Sequence, residues 1–442
     1  MKRVLILIAC MCPLFLSGQN LLSTLKNIHT VSKGETWESV ASDYGITVDE
    51  LRAANPDVKR NKLKKRTLLI IPQKPQPQKV EEVVVQQPEK VIRTALPHLR
   101  VGVLLPFSDN NKAKMTELYR GLLMAADSVR RNGTDIDIYA WDSGSTAQQA
   151  EQLRQEISGL DILFGPAVAT QIPAVAEICR EQGIRLVLPF ASGQVLQDYP
   201  LVYNATAPGA VVFEEAVRKM KGIFSNCNYV VVNSDTPDNQ GRVMCETLSN
   251  SVREHAGNVG SVALEADVSA YESAFSLSRN NCIAIDDVST RSLNILLARL
   301  KDFRHQHADC RISLIGYPDW QTTTQTLLKD FFTFDTYIIS PYYYNVLDES
   351  VKRFQRTYED AFHVPVAQDC PRYAALGFDL GFYFMSGISK QGDTFEQMQG
   401  TLPQNPYQNR YMFERTPSGM SFTNRFVQFI HFTPEEKIEI IR

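Results

Sequence analysis

At 442 residues the chain is longer than a single hydrophobic core sustains, so two or three folding units are expected. Its 44% hydrophobic and 21% charged content, with a formal net charge of -3, is that of ordinary globular protein and lacks the basic excess that nucleic-acid binding leaves. Nucleic acid is therefore not an expected partner.

Lys2 and Arg3 precede an apolar run over residues 4–16, and the small residues Ser17 and Gly18 follow, which predicts a secretory signal peptide over 1–18 and export to the periplasm. The run is too short to span a bilayer, and no later apolar segment approaches that length. Leu7-Ile8-Ala9-Cys10 spells a rival lipoprotein signal with acylation at Cys10. That signal would keep only residues 4–9 as its apolar region, below the roughly 7–15 residues required.

Between residues 28 and 72 the hydrophobic period switches from strand to helix, to helix, to strand. A strand over 29–31 leads to Lys33-Gly34-Glu35, and a helix opening at Glu35 or Thr36 carries Trp37, Val40 and Ala41, with Tyr44 close behind. Gly45 ends it; Thr47 caps a second helix bearing Val48, Leu51 and Ala54, and Asn55-Pro56 stops that one before a strand over 68–71. Residues 73–97, rich in Pro, Gln and charge, read as an extended spacer.

Beyond the spacer, strand, turn and helix alternate, predicting parallel sheets with helices on both faces. Strands are expected over 100–105, 135–141, 162–164 and 185–188, with helices over 117–130, 147–157 and 172–181. After Pro208-Gly209 a second series follows at 229–232, 261–264, 283–285, 312–315 and 337–339. Two such units in tandem imply a cleft between two lobes, with ligands at the C-terminal ends of the strands.

The first of these regions resembles the LysM family over its whole repeat. The resemblance rests on Thr30-Val31 with Gly34-Glu35-Thr36, the Trp37-x-x-Val40-Ala41 helix, the element from Gly45 to Leu51, Asn55-Pro56 and the closing Ile71-Pro72. It departs at Arg66, where the family usually has glycine. It implies a βααβ domain over 28–72 that binds N-acetylglucosamine-containing glycan, peptidoglycan above all. Carried over by position, the groove comprises Gly34, Glu35 and Thr36 on one side and Asn55, Pro56, Asp57 and Val58 on the other. A purely turn-forming role for Gly34, Asn55 and Pro56 stays open. The basic residues Lys59, Arg60, Lys62, Lys64, Lys65 and Arg66 beside it read first as a solvated face.

Residues 98–442 resemble the type I periplasmic binding proteins. The blocks VGVLLPFSDNN, YRGLLMAADSV, ILFGPAVATQIPAVAEICREQGIRLVLPFAS, SPYYYNVLDESVKRFQRTYEDAFHVPV and RYAALGFDLGFYFMSGI carry the likeness in order. It implies an α/β fold of two parallel, doubly wound sheets: lobe 1 over about 98–207 and 342–395, lobe 2 over about 208–341 and 396–442. The implied ligand positions are Ser108, Thr170, Ala191 and Ser192 on one lobe and Gln240 and Asp319 on the other. A hydroxyl set for a carboxylate opposite an acid for an ammonium group suits an amino-acid-like ligand. Gln240 stands where such members often place an aromatic residue, which leaves the ligand open, and Ser192 and Asp319 read equally as helix caps.

Six cysteines follow the leader, Cys179, Cys227, Cys245, Cys282, Cys310 and Cys370, without metal-ligand spacing. Cys227, Cys282 and Cys310 stand at strand starts, and a Cys282–Cys310 disulfide and free buried thiols both remain open. Asp142-Ser143-Gly144-Ser145 imitates an aspartic-protease loop, yet no second loop supplies the partner carboxylate, so a loop-capping role is expected. His305 and His307 read as an exposed helix end, and Asn204-Ala205-Thr206 as a chance glycosylation spelling. With no metalloprotease, hydrolase or nucleotide-binding motif, no cofactor and no enzyme activity are expected. The expected function is a wall-anchored binder of a small amino-acid-like or wall-derived solute. The alternative is a scaffold for an enzyme of peptidoglycan synthesis.

Overall fold

A computed structural model describes residues 28–56, 58, 63–72, 93–144, 150–190, 199–206, 208–254, 259–402, 404–416 and 421–442. The expected signal peptide, with Cys10, lies outside them. The chain divides into two compact units, residues 1–90 and 91–442.

In the first unit β1 (Ile28–Thr30) and β2 (Leu68–Ile70) pair antiparallel around α1 (Trp37–Asp43) and α2 (Val48–Ala53). Both helices begin with reciprocal caps: Thr36 with Ser39, and Thr47 with Glu50. Their inner faces bury Trp37, Val40, Ala41 and Leu51 against Val31, Leu69 and Ile71. Arg66 keeps the left-handed backbone, φ 72°, that a glycine would take without strain, and its N–H bonds the Val31 carbonyl at 2.7 Å. The departure at Arg66 therefore leaves the turn geometry in place.

The second unit opens with β3 (His98–Leu105), α3 (Lys112–Arg130), β4 (Asp135–Asp142), α4 (Ala150–Glu156), β5 (Ile162–Phe164), α5 (Ile172–Gln182), β6 (Arg185–Leu188) and β7 (Val202–Asn204). It continues with α6 (Gly209–Ile223), β8 (Asn228–Asn233), α7 (Asn239–Glu254), β9 (Val259–Ala263), α8 (Val268–Ala274), β10 (Asn281–Ile285), α9 (Thr290–Gln306), β11 (Ile312–Gly316), α10 (Thr324–Thr333) and β12 (Thr336–Ser340). The chain then returns through α11 (Glu349–Phe362), α12 (Tyr373–Gln391), α13 (Phe395–Met398), β13 (Phe413–Arg415) and β14 (Phe422–Asn424), and ends in β15 (Gln428–Phe432) and β16 (Ile438–Ile441).

The described strands form two seven-stranded sheets, ordered β13-β14-β7-β6-β5-β3-β4 and β16-β15-β12-β11-β10-β8-β9. Central strands such as β5, β6, β10 and β11 are buried along their whole length, as parallel strands covered on both faces must be. The sheets are not wholly parallel, because β13, β15 and β16 pair antiparallel at the edges. Residues 396–424, expected in the second lobe, supply β13 and β14 to the first, and only β15 and β16 return to the second.

The first lobe buries Val101, Val103, Leu122 and Phe384 on one face of its sheet and Leu104, Ile157, Val175 and Leu186 on the other. Helix α12, apolar almost all round, crosses α3 at backbone distance through Gly121 and Gly377. The spacer ends earlier than expected. Arg93 pairs with Asp393 at 3.0 Å, the Leu96 N–H bonds the Ser389 carbonyl at 2.8 Å, and Leu96 joins the core.

The six cysteines are free thiols. Register explains why Cys282 and Cys310 do not pair: Cys282 lies beside Ser313, three residues beyond Cys310, or roughly 10 Å along the strand, too far for a disulfide.

Candidate functional site

In the first unit the residues expected to touch glycan divide into two kinds. Gly34 (φ 101°), Thr36 and Pro56 are exposed, although the Thr36 hydroxyl already accepts the Ser39 N–H at 3.2 Å. Asn55 is buried. Its Nδ2 donates to the Leu51 carbonyl at 2.8 Å and the Ile70 carbonyl at 2.7 Å, and its Oδ1 accepts the Ile70 N–H at 2.7 Å. Asn55 thus rivets the end of α2 to β2, the structural role the sequence left open.

Glu35 accepts from Ser32 N–H and His29 Nε2, both at 2.8 Å, and these bonds, the imidazole first, hold its carboxyl below the usual range. His29 also meets the Tyr44 hydroxyl at 3.1 Å. Val58 is half-buried against the core. Asp57, and Lys59, Arg60 and Lys62 of the basic cluster, lie outside the described residues.

In the second unit the chain passes between lobes near residues 205–208, 341–343 and 425–427. Each crossing is tied down. Asn424 Nδ2 donates to the Ala205 and Arg410 carbonyls at 3.0 and 3.2 Å. Arg425 forks onto Glu215 of α6 at 2.7 and 3.0 Å. Burial alone would raise the Glu215 carboxyl; Arg218 and Arg425 outweigh it and draw it below the usual range. At the middle crossing Ser340 Oγ receives Gln321 Nε2 at 2.9 Å and donates to the Tyr342 carbonyl at 2.7 Å.

The C-terminal ends of both sheets meet at these crossings, and the four described candidates sit there. Ser108 follows β3, Thr170 lies in the turn after β5, Gln240 opens α7 after β8, and Asp319 follows β11; all four are exposed. No hydrogen bond joins one to another among the described residues, and Ala191 and Ser192 lie outside them. Ser108 hydrogen-bonds Asp142, whose Oδ1 also accepts the Phe107 and Gly144 N–H groups at 2.9 and 3.1 Å. The Ser108 bond first, then those N–H groups, hold Asp142 below the usual carboxylate range, so this aspartate acts as a loop cap.

Asp319 is different. Its carboxylate accepts no hydrogen bond from the described residues, and the surrounding protein, with the charge of Asp238 added, pushes its pKa up. The short 3-10 helix that carries it, Pro318–Thr323, is tied down on both sides of the acid: Trp320 Nε1 donates to the Val288 carbonyl at 3.0 Å, and Tyr317 donates to the Ile285 carbonyl. Across the cleft, the field of Asp319 reaches Tyr342 and Cys370, whose hydroxyl and thiol are 3.6 Å apart.

Two aromatic side chains that were not among the expected ligand positions lie in the first lobe, Phe190 just after β6 and Tyr373 at the start of α12. Phe190 and Tyr373 lie 6.0 Å apart, and the Lys114 ammonium is 5.6 Å from the Tyr373 ring centre. Among the described residues no cluster of His, Cys, Asp or Glu is arranged to hold a metal, and no helix is long and apolar enough to cross a membrane. His307 meets Glu272 at 2.7 Å at the helix end.

Asp379, enclosed in α12, positions the middle crossing. It accepts the N–H groups of Tyr407, Gln408 and Asn409 at 2.9, 2.8 and 2.7 Å, and this loop pairs with Tyr342 and Tyr343. Burial pushes its pKa from 3.8 to about 7 against the pull of those donors and Arg410. The folded chain therefore holds this proton more tightly than the unfolded one. The associated stability is fully present below about pH 4 and falls by a few kcal/mol as pH climbs towards about 7. Urea unfolding across that window is expected to show the decline in the wild type and a flatter profile in Asp379→Asn. Equal slopes in both would assign the decline to another group.

Residues 29–72 match the LysM domain family. No curated protein matches the sequence. Among solved structures, a Rhodospirillum rubrum protein assigned as a branched-chain amino acid ABC transporter is similar at 14% identity and TM-score 0.57, covering 78% of this chain and 100% of its own. A branched-chain amino acid ABC transporter periplasmic ligand-binding protein from Burkholderia xenovorans is similar at 12% identity and TM-score 0.50, covering 78% and 94%. An ABC-type branched-chain amino acid transporter from Rhodopseudomonas palustris is similar at 12% identity and TM-score 0.50, covering 78% and 96%. At these identities the likeness establishes the fold: the larger unit has the bilobal type I periplasmic-binding fold.

Proposed function

We propose that a LysM unit joined to a type I periplasmic-binding fold makes this chain a peptidoglycan-anchored, non-catalytic protein of the periplasm. Its cleft takes a small solute, an amino acid or a cell-wall fragment, between the lobes. The observation that carries the reading is Asp319: an accessible carboxylate on a tied-down 3-10 turn, without a described partner, at the strand ends where this fold meets its ligands. An ammonium group is the natural complement of that carboxylate, and Phe190 and Tyr373 offer apolar surface to the remainder.

Calorimetry of the full chain against amino acids and muropeptides tests the cleft. A binder whose affinity falls about ten-fold or more in Asp319→Asn is expected, the effect of losing one charge-assisted hydrogen bond. No binder, or one indifferent to that change, defeats the assignment. For the anchor, residues 19–72 are expected to sediment with insoluble peptidoglycan and residues 91–442 to stay in solution; the second fragment starts at 91 because Arg93 and Leu96 belong to its fold. Equal sedimentation by both would show the anchor to be misassigned.

One feature favours the scaffold reading. Val346 and Leu347, 49% and 74% exposed in the loop after β12, present apolar surface to a partner protein such as a wall-synthesis enzyme. Loss of partner capture in Leu347→Ser, with solute binding intact, would single out that role.

A further inference from the structure

At the opposite end of the second-lobe strands from the cleft, a cavity of about 260 Å³ opens between the last turn of α9, the start of β11, the end of α10 and the turn after β15. Asn280, Arg304, Asp309, Arg311, Thr333 and Asp335 supply its polar lining. Two guanidiniums in one pocket repel each other unless anions compensate them. Neither makes an ion pair with a described carboxylate. Arg304 donates to the Thr333 carbonyl, and Arg311 donates to the Ser278 carbonyl at 3.3 Å, which commits one N–H of the five in each fork.

Neither nearby carboxylate meets either fork. Asp335 is occupied elsewhere, its Oδ1 accepting from His431 Nε2 at 2.7 Å and its Oδ2 from the Ser313 hydroxyl at 2.5 Å. Asp309 stands exposed at the rim, without a described hydrogen bond. Both guanidiniums line the same pocket beside Cys310.

We propose that this pocket binds a small carboxylate- or phosphate-bearing molecule, clamped by the forks of Arg304 and Arg311. Planar, bidentate donors suit both oxyanions. Asp309 requires that the rest of the ligand lie in solvent or present a cationic group to the rim. The site shares no residue with the cleft, so it stands or falls separately from the solute-binding reading.

The test is calorimetric titration of the full chain with inorganic phosphate and, in parallel, acetate. Saturable binding of at least one probe is expected, weakened about ten- to hundred-fold in Arg304→Gln and in Arg311→Gln. Preference for one probe identifies the oxyanion. Arg304→Lys and Arg311→Lys, which keep the charge and lose the fork, are expected to fall between wild type and the Gln variants, so a folding defect in the latter does not decide the outcome. Absence of saturable binding to either probe, or binding indifferent to both arginines, would overturn the proposal.

Discussion

Gly377→Ala is expected to destabilise the first lobe by about 3 kcal/mol or more, lowering its melting midpoint by roughly 6–12 °C. A Cβ built at this glycine lies 2.0 Å from the Leu118 carbonyl oxygen of α3, and one at Gly121 lies 2.1 Å from the Ala374 carbonyl oxygen of α12. Both obstacles are backbone, so relief requires the helices to separate rather than a side chain to turn. The same seam continues at Gly381, whose Cβ would meet that of Ala125 at 2.9 Å. Separation would disturb Asp379, two residues further along α12, and with it the loop that supports the middle crossing. Thermal unfolding followed by near-ultraviolet circular dichroism checks this. A midpoint equal to that of wild type would show that the helices have room the geometry denies them.

Asn55→Ala is expected to abolish sedimentation with peptidoglycan by unfolding the first unit, while leaving the second unit's melting transition in place. The change removes three hydrogen bonds and strands the Ile70 N–H and carbonyl, together about 2–4 kcal/mol. A domain of this size has a total stability of roughly 2–7 kcal/mol, so one such loss is decisive. Asn55→Asp, which keeps the acceptor for Ile70 N–H and loses both donated bonds, is expected to retain part of the fold. A folded Asn55→Ala unit that no longer sediments would instead make Asn55 a sugar contact. One that is folded and still binds would remove both roles.

Several features were determined by the amino-acid sequence alone, because their physics is local. Thr36 and Thr47 sit one residue before helical apolar spacing begins, and each caps the helix where that spacing places it. The central strands are mostly apolar, and β5 and β6 occupy the residues the pattern marks. Other features were settled only by tertiary contact. Strands β7, β13 and β14 are as short as β5 but mix polar with apolar residues (VYN, FER and FTN against ILF), so they show no apolar run, and they pair because the sheet beside them supplies hydrogen-bond partners. The allocation of residues 396–424 to the first lobe follows from Asn424, which bonds the Ala205 carbonyl from 219 positions away.

At the candidate sites the division is the same. Residue type placed Asp319 and Asn55 in loops, but not their opposite fates. Asn55 is committed because Ile70 of β2 folds back beside it, 15 positions later. Asp319 is left uncommitted because the neighbouring donors, Trp320 Nε1 and the Tyr317 hydroxyl, are drawn to the carbonyls of Val288 and Ile285. Whether a polar side chain is a rivet or a binding group depends on which backbone groups the rest of the chain brings within about 3 Å of it, and no local pattern encodes that.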